Sequence, residues 1–192
     1  MTTPDTPRLA TDRLLMREWH DADRAPYAAL NGDPEVMRHF PSRLTPEQSR
    51  EMVDRITVGW RDHGFGLWAV ERVDSSEFIG FVGLLSPVWE ASFTPCVEVG
   101  WRLAKEHWGH GFAPEAAMAA LDWGFANIEL PGDRIVSFTT AGNVNSQRVM
   151  DKIGMVRELD GDFDHPMLPD WVDRRHVLYQ IDRDQNDERV AR

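Results

Sequence analysis

The sequence predicts a mixed α/β domain: a mostly antiparallel central sheet of about seven strands with flanking helices. Three observations lead there. Strand-like runs at Leu67–Val73, Phe78–Leu85 and Cys96–Leu103 follow one another across turns and a loop, two helical patterns precede them, and from Ala113 onward helices and strands alternate. Strands joined by turns pair antiparallel, whereas strands joined through a helix can pair in parallel, so the sheet combines both kinds.

Arg13–Trp19 (RLLMREW) reads as the first strand, ending before the turn-forming Asp21-Ala22-Asp23. A helix follows, capped by Asp21 or Asp23, with Ala25, Ala28, Ala29 and Leu30 at helical spacing and Asn31-Gly32-Asp33-Pro34 as its stop. Thr45-Pro46-Glu47-Gln48 places a capping hydroxyl, a first-turn proline and a reciprocal glutamine; Met52, Ile56 and Gly59 continue one face until Gly64 and Gly66. Asp74-Ser75-Ser76 and Ser86–Pro95 connect the three middle strands. Pro114 sits inside the start of a helix over Ala113–Asn127, whose stripe of Ala117, Leu121, Gly124 and Ile128 permits close packing. Arg134–Thr140 is a strand, Asn145–Ile153 a short helix ended by Gly154, and Met155–Leu159 and Arg175–Ile181 are closing strands. Residues 8–181 are expected to form one domain. The charged segment 182–192 has little to bury and is expected to fray.

With 192 residues, 42% of them hydrophobic and 28% charged, the chain suits one globular domain with a sizeable core. A net charge of -11 argues against a nucleic acid or an anionic membrane as partner and favours a cationic one. No apolar run approaches the roughly 20 residues of a spanning helix, and the N-terminus lacks a signal-peptide core, so a cytoplasmic location is expected; a monomer or homodimer is expected. Cys96 stands alone, which excludes an intrachain disulfide or a zinc knuckle. His107 and His110 lack metal-ligand spacing, and no metal site is expected.

The chemistry is concentrated in Glu98–Glu115, EVGWRLAKEHWGHGFAPE. A strand, a loop with Gly109 and Gly111, and a helix opened by Pro114 make an anion site: unpaired N–H groups and the helix dipole favour negative charge, and glycines admit a phosphate to the backbone. Arg102, Lys105, His107 and His110 surround a single acid, Glu106, which reverses the local sign of an acidic chain. The dinucleotide fingerprint G-x-G-x-x-G fails, because Pro114 occupies its third glycine position, and G-x4-G-K-[S/T] and G-x-S-x-G are absent.

Three segments then carry a resemblance: Glu98–Leu103 with Trp108–Ala113, Asn143-Val144-Asn145-Ser146, and Lys152-Ile153-Gly154-Met155. In this order the sequence resembles the GNAT superfamily of N-acetyltransferases, and within it the RimJ/RimL-like branch that acetylates N-terminal amines of ribosomal proteins. The resemblance implies a sheet splayed between strands four and five, with acetyl-CoA as co-substrate. It implies that the pantetheine arm bonds backbone at Trp101, Arg102 and Leu103 and that the diphosphate sits on the amides of Trp108, Gly109, His110, Gly111, Phe112 and Ala113. It further implies that Asn143 and Ser146 approach the pantetheine and sulfur. Glu98 matches the strand position from which relatives deprotonate the amine through water; its bland alternative is an ion pair with Arg102. His165, in an Asp162–Pro166 loop, is the rival base, or else part of a solvated loop. Asn143 and Ser146 also read as helix caps. Two departures stand out: Glu106 replaces the Gln or Arg that opens the family's diphosphate signature, and Met150 replaces a tyrosine that protonates the departing thiolate. Ser146 or water then serves as acid, a mild demand for a thiol of pKa about 8.5. The expected function is acetyl transfer to a cationic primary amine, a protein N-terminus or a small molecule. The alternative is a non-catalytic acyl-CoA sensor.

Overall fold

The computed structural model describes residues 6–168 and 170–191. The strands are β1 (Leu9–Ala10), β2 (Leu14–Arg17), β3 (Leu67–Arg72), β4 (Phe78–Leu85), β5 (Val97–Leu103), β6 (Arg134–Thr140), β7 (Val156–Asp164) and β8 (Arg175–Asp182). They form one open sheet in the order β1-β2-β3-β4-β5-β6-β8-β7, antiparallel except between β5 and β6. The helices are α1 (Arg24–Gly32), α2 (Pro46–His63), α3 (Phe112–Asn127), α4 (Val144–Lys152) and α5 (Arg183–Val190). The eighth strand, beyond the expected seven, is the two-residue β1.

Side-chain alternation assigns the two faces. Leu84, Val99 and Ile135 point toward α3, where Gly124 lets the helix approach so closely that a Cβ would meet Leu84 at 2.8 Å. Phe81, Glu98, Gly100 and Arg102 point to the other face, where Tyr27 of α1 packs on Phe81 with ring centroids 6.0 Å apart. Trp68, fully buried, meets Trp60 of α2 and Trp123 of α3 edge-on at 4.7 and 5.2 Å. Such edge-to-face pairs add specificity to the area they bury.

Several local expectations hold to within a residue or two. Thr45 and Gln48 exchange capping bonds and Gly64 closes α2 at φ 74°. Three are corrected. Asp23 precedes α1 but does not cap it; its carboxylate is held bidentate by buried Arg17 and accepts from the His20 N–H. The segment Asp162–Asp164, read as loop, belongs to β7, which resumes pairing after a register shift between Glu158 and Phe163. Gly161 permits that shift, since a Cβ there would lie 2.8 Å from the Glu158 Cβ. The segment after Ile181, expected to fray, forms α5: Asp182 and Gln185 make a capping box, Asn186 is buried, and Arg183 donates to the Phe125 carbonyl. Asp182→Ala is expected to lower the melting temperature by about 2–4 °C, the effect of losing about 1 kcal/mol of capping in a chain of this size. Thermal denaturation checks it, and an unchanged midpoint would mean the cap contributes nothing.

Candidate active site

The site begins where the sheet divides. β5 and β6 pair only at Val97–Ile135 and Glu98–Val136. One step further the Ser137 hydroxyl donates to the Val99 carbonyl at 2.9 Å, a side-chain tie where the next ladder bond would fall. Beyond it the strands part, and Gly100–Leu103 have a β-partner only in β4. The expected splay between the fourth and fifth full-length strands is therefore present. It opens a cleft of about 790 Å³ that runs from one face of the sheet to the other.

At the upper end of β5 the chain makes a short 3-10 turn at Lys105–His107, and Trp108 folds back to donate its indole N–H to the Leu103 carbonyl at 2.8 Å. Gly109 and Gly111 follow at φ 80° and 81°, a left-handed conformation that glycine adopts without a Cβ penalty. None of the five consecutive N–H groups from Gly109 to Ala113 donates to an acceptor among the described residues, whereas the Trp108 N–H, expected to join them, is taken by the Lys105 carbonyl at 3.1 Å. They crown the N-terminus of the 16-residue helix α3, where the dipole adds positive potential. Unpaired amides and two left-handed glycines, with nothing within 4 Å of a Cβ built on Gly109, fit a diphosphate.

The loop is pinned from a distance. Arg13, just before β2, bridges the Glu115 carboxylate, donates Nη1 to the His110 carbonyl at 2.9 Å, and lies 4.8 Å from the Phe112 ring centroid. The Thr11 hydroxyl and the Arg13 N–H also donate to Glu115. Burial raises the Glu115 pKa, but these donors outweigh it and hold the carboxyl below its ordinary value. Sequence reading missed this clamp, because nothing local links residues 102 positions apart.

Glu98 sits at the fork. Its carboxylate leans over Gly100, where a Cβ would lie 3.8 Å from Oε1, and no side chain pairs with it among the described residues. Burial alone pushes its carboxyl up to about 8. The alternative pairing with Arg102 is not formed: Arg102 donates Nη1 to Asn31 Oδ1 at 2.6 Å and lies under the Phe40 ring at 4.1 Å.

On the α3 face, Asn143 caps α4 by accepting from the Ser146 N–H, and its amide donates to Thr139 Oγ1 and Ser146 Oγ. The Ser146 hydroxyl, already accepting, keeps its own proton available to the cleft. Met150 is buried beside it, on the cleft wall. On the α1 face, His165 follows β7 and lies 5.1 Å, ring to ring, from His176 of β8. Burial lowers both imidazoles, and the proximity of His176 lowers His165 further. The His176 Nδ1 bonds the Arg174 carbonyl at 2.7 Å, which makes it the protonated nitrogen and leaves Nε2 as an acceptor. His176 was missed, since a histidine inside an apolar strand reads as core; Ser137, polar between Val136 and Phe138, was the legible signal overlooked.

Of the residues anticipated in this site, the cleft wall includes Glu98, Trp101, Arg102, Leu103, Trp108, Gly109, Gly111, Phe112, Ala113, Asn143, Ser146 and His165. His110 is not on the wall; its ring stacks on Phe112 and its carbonyl receives Arg13. Among the described residues no group of three His, Cys, Asp or Glu is arranged for a metal ion, and no helix is long and apolar enough to cross a membrane.

Comparison with known proteins agrees with this geometry. Residues 13–156 match the family model described as the acetyltransferase (GNAT) domain. This chain belongs to the GNAT acetyltransferase family. It is 34% identical over 149 residues to the uncharacterized protein YkkB of Bacillus subtilis, covering 77% of this chain and 84% of that one. It is 30% identical over 154 residues to the uncharacterized N-acetyltransferase YoaA of the same organism, covering 79% and 84%. A crystal structure of a GNAT-family acetyltransferase from Bacillus anthracis superposes with a TM-score of 0.74 at 26% identity, covering 92% of this chain and 98% of that one. The GNAT protein described here is thus a CoA-dependent acyltransferase that uses acetyl-CoA.

Two predictions follow from the geometry. Glu115→Ala frees Arg13 and unpins the loop, so the dissociation constant for acetyl-CoA should rise about tenfold by calorimetry, equivalent to about 1.4 kcal/mol; an unchanged constant would mean that the clamp does not organise the loop. Glu98 is raised from 4.5 to about 8 on folding, so between those values the native state holds a proton that the unfolded chain releases. Its contribution to stability is present below pH 4.5 and is lost as pH climbs through about 8. Glu98→Gln, permanently neutral, should therefore melt above the wild type at high pH, with the gap shrinking toward pH 5 in paired thermal melts; a pH-independent gap would refute the shift.

Proposed function

We propose that the protein acetylates a primary amine by direct transfer from acetyl-CoA in a ternary complex, with Glu98 as the general base. The observation that carries this reading is the position of Glu98: unpaired, at the fork where the two faces of the sheet communicate, with its carboxyl near pH 8.

Acetyl-CoA supplies the thioester. The amides from Gly109 to Ala113 receive its diphosphate, and the open edge of β5 from Trp101 to Leu103 offers backbone bonds to an extended arm. Glu98, ionised, takes a proton from the acceptor's ammonium, directly or through one water, because an ammonium has no lone pair. The nitrogen bonds to the acetyl carbon as the carbon–sulfur bond breaks. A backbone N–H near Trp101 or Arg102 meets the charge that develops on the acetyl oxygen. The nitrogen sheds its second surplus proton as the amide forms, and the Ser146 hydroxyl, oriented by Asn143, or a water relays it to the thiolate, taking up the nitrogen's proton as it gives up its own; the apolar Met150 cannot. Cys96 is no competing nucleophile: burial, with Glu98 beside it, pushes its thiol up to about 11. Holding amine and thioester in line supplies much of the acceleration. His165, with His176 beside it, stands as the second candidate base.

Free-thiol release during incubation with acetyl-CoA and a panel of amines tests the reading. With an accepted amine, kcat/KM should rise with pH to a plateau above about 8, and Glu98→Gln should lower it about 100-fold on the plateau and remove that inflection. Binding of acetyl-CoA with no amine releasing thiol above background would instead establish a sensor without turnover. An undiminished rate in Glu98→Gln, with His165→Gln inactive, would move the base to the histidine.

A further inference from the structure

We propose that the acceptor is a primary amine that also carries a carboxylate, and that the Arg102 guanidinium is the group that recognises it. This inference rests on the acetyl-transfer reading above and narrows it.

Counting up both strands from the fork locates the relevant groups. Glu98 and Val136 are partners, so Arg102 on β5 and Thr140 on β6 stand at the same level, four residues up, on opposite walls of the opening. Alternation puts both on the sheet face that carries Glu98, the face of α1. Both hold a buried polar atom without a partner: Arg102 Nε and Thr140 Oγ1 have no hydrogen bond among the described residues. Both residues line the cleft. Buried donors left unpaired are costly, and those on a cleft wall gain their partners when a ligand arrives.

The Arg102 side chain is built to stay in place. One nitrogen bonds Asn31 of α1, Asn31 in turn bonds Ser49 of α2 at 3.2 Å, and Phe40 covers the guanidinium plane. These neighbours are neutral. No carboxylate bridges Arg102 among the described residues, in contrast to Arg13, Arg17 and Arg183, each of which has one. An arginine fixed by an amide and an aromatic ring, with its charge uncompensated, presents the fork geometry that binds a carboxylate.

The rest of the wall agrees. On the α1 side its acids among the described residues are Glu35, which pairs with Arg38, and Glu98, against Arg102; Arg148 and Lys152 belong to α4 on the other side. An acceptor with extra ammonium groups would bring them toward Arg102, whereas an amino carboxylate places its amine toward Glu98 and its anion against the guanidinium. The net charge of the whole chain is therefore no guide to the acceptor half of the cleft, where Arg102 stands without a carboxylate partner among the described residues. Phe138, Leu168 and Trp171 add apolar wall for the body of the acceptor.

The test is a panel of paired amines: α-amino acids with apolar side chains and ω-amino acids of increasing length, each beside its own carboxamide. Two readouts are taken, free-thiol release with acetyl-CoA and calorimetric binding of each amine in the presence of CoA. The expected result is that at least one acid exceeds its amide about tenfold or more in kcat/KM and in binding. Arg102→Gln, which can keep the bond to Asn31, should bring that ratio toward one, chiefly through KM, and Arg102→Lys should restore part of it. Equal use or binding of acids and amides by the wild type, a preference that survives Arg102→Gln, or no binding by any member would overturn the proposal. If acids bind selectively through Arg102 yet no amine releases thiol, the acetyl-transfer reading fails while carboxylate recognition stands.

Discussion

The parting of β5 and β6 after two paired residues is the constraint from which the rest follows. A sheet interior normally engages every backbone donor and acceptor, and an unpaired strand edge is costly unless something covers it. Here the edge of β5 beyond Glu98 is left open inside the protein, lining a cleft that connects both faces of the sheet. In the proposed reading, the split lets two molecules approach one another from opposite sides, one along the α3 and α4 side, the other along the α1 side. It also leaves Glu98 in a medium that raises its pKa without a counter-charge to reverse the effect. The Ser137 hydroxyl shows how the fork is finished: a side chain satisfies a carbonyl that would lose its neighbour as the strands diverge.

Electrostatics divides between surface and cleft. The chain carries -11 overall, yet the unpaired amides of the loop and the N-terminus of α3 favour negative charge locally. Part of the acid excess lies in exposed pairs such as Arg24–Asp54 and Arg72–Asp74, which act locally and contribute little to stability. Net charge describes the outer surface and says little of a groove walled by particular residues.

What could be read in the sequence was local in origin. The capping box of α2 needs four adjacent residues, and the loop proposed for the diphosphate needs two glycines and a proline at a helix start; both signals are complete within a few residues of chain. The fork was expected from the resemblance of three motifs, whereas its chemical finish, from Ser137, was not. Glu98 was legible as a lone acid in an apolar strand. The clamp between Arg13 and Glu115, the tethering of Arg102 by Asn31 and the pairing of His165 with His176 depend on contacts across the fold, so no short window contains them. α5 was missed because its composition is nearly all polar; its cap and the buried Asn186 hold it where apolar area does not. β7 was cut short because Asp160, Gly161 and Asp162 spell a turn, and the chain absorbs them as an irregularity in the ladder.

The two halves of the site differ in how they are encoded. The seat proposed for the diphosphate comes from one unbroken stretch, Leu103 to Glu115, braced by a single arginine from outside. The opposite wall is assembled from scattered positions on a helix, a connecting loop and three strands. A contiguous seat can pass intact through descent while the dispersed wall is rewritten one side chain at a time. The architecture thereby separates what must be inherited from what is free to diverge, and a change of acceptor need not disturb the grip on the donor.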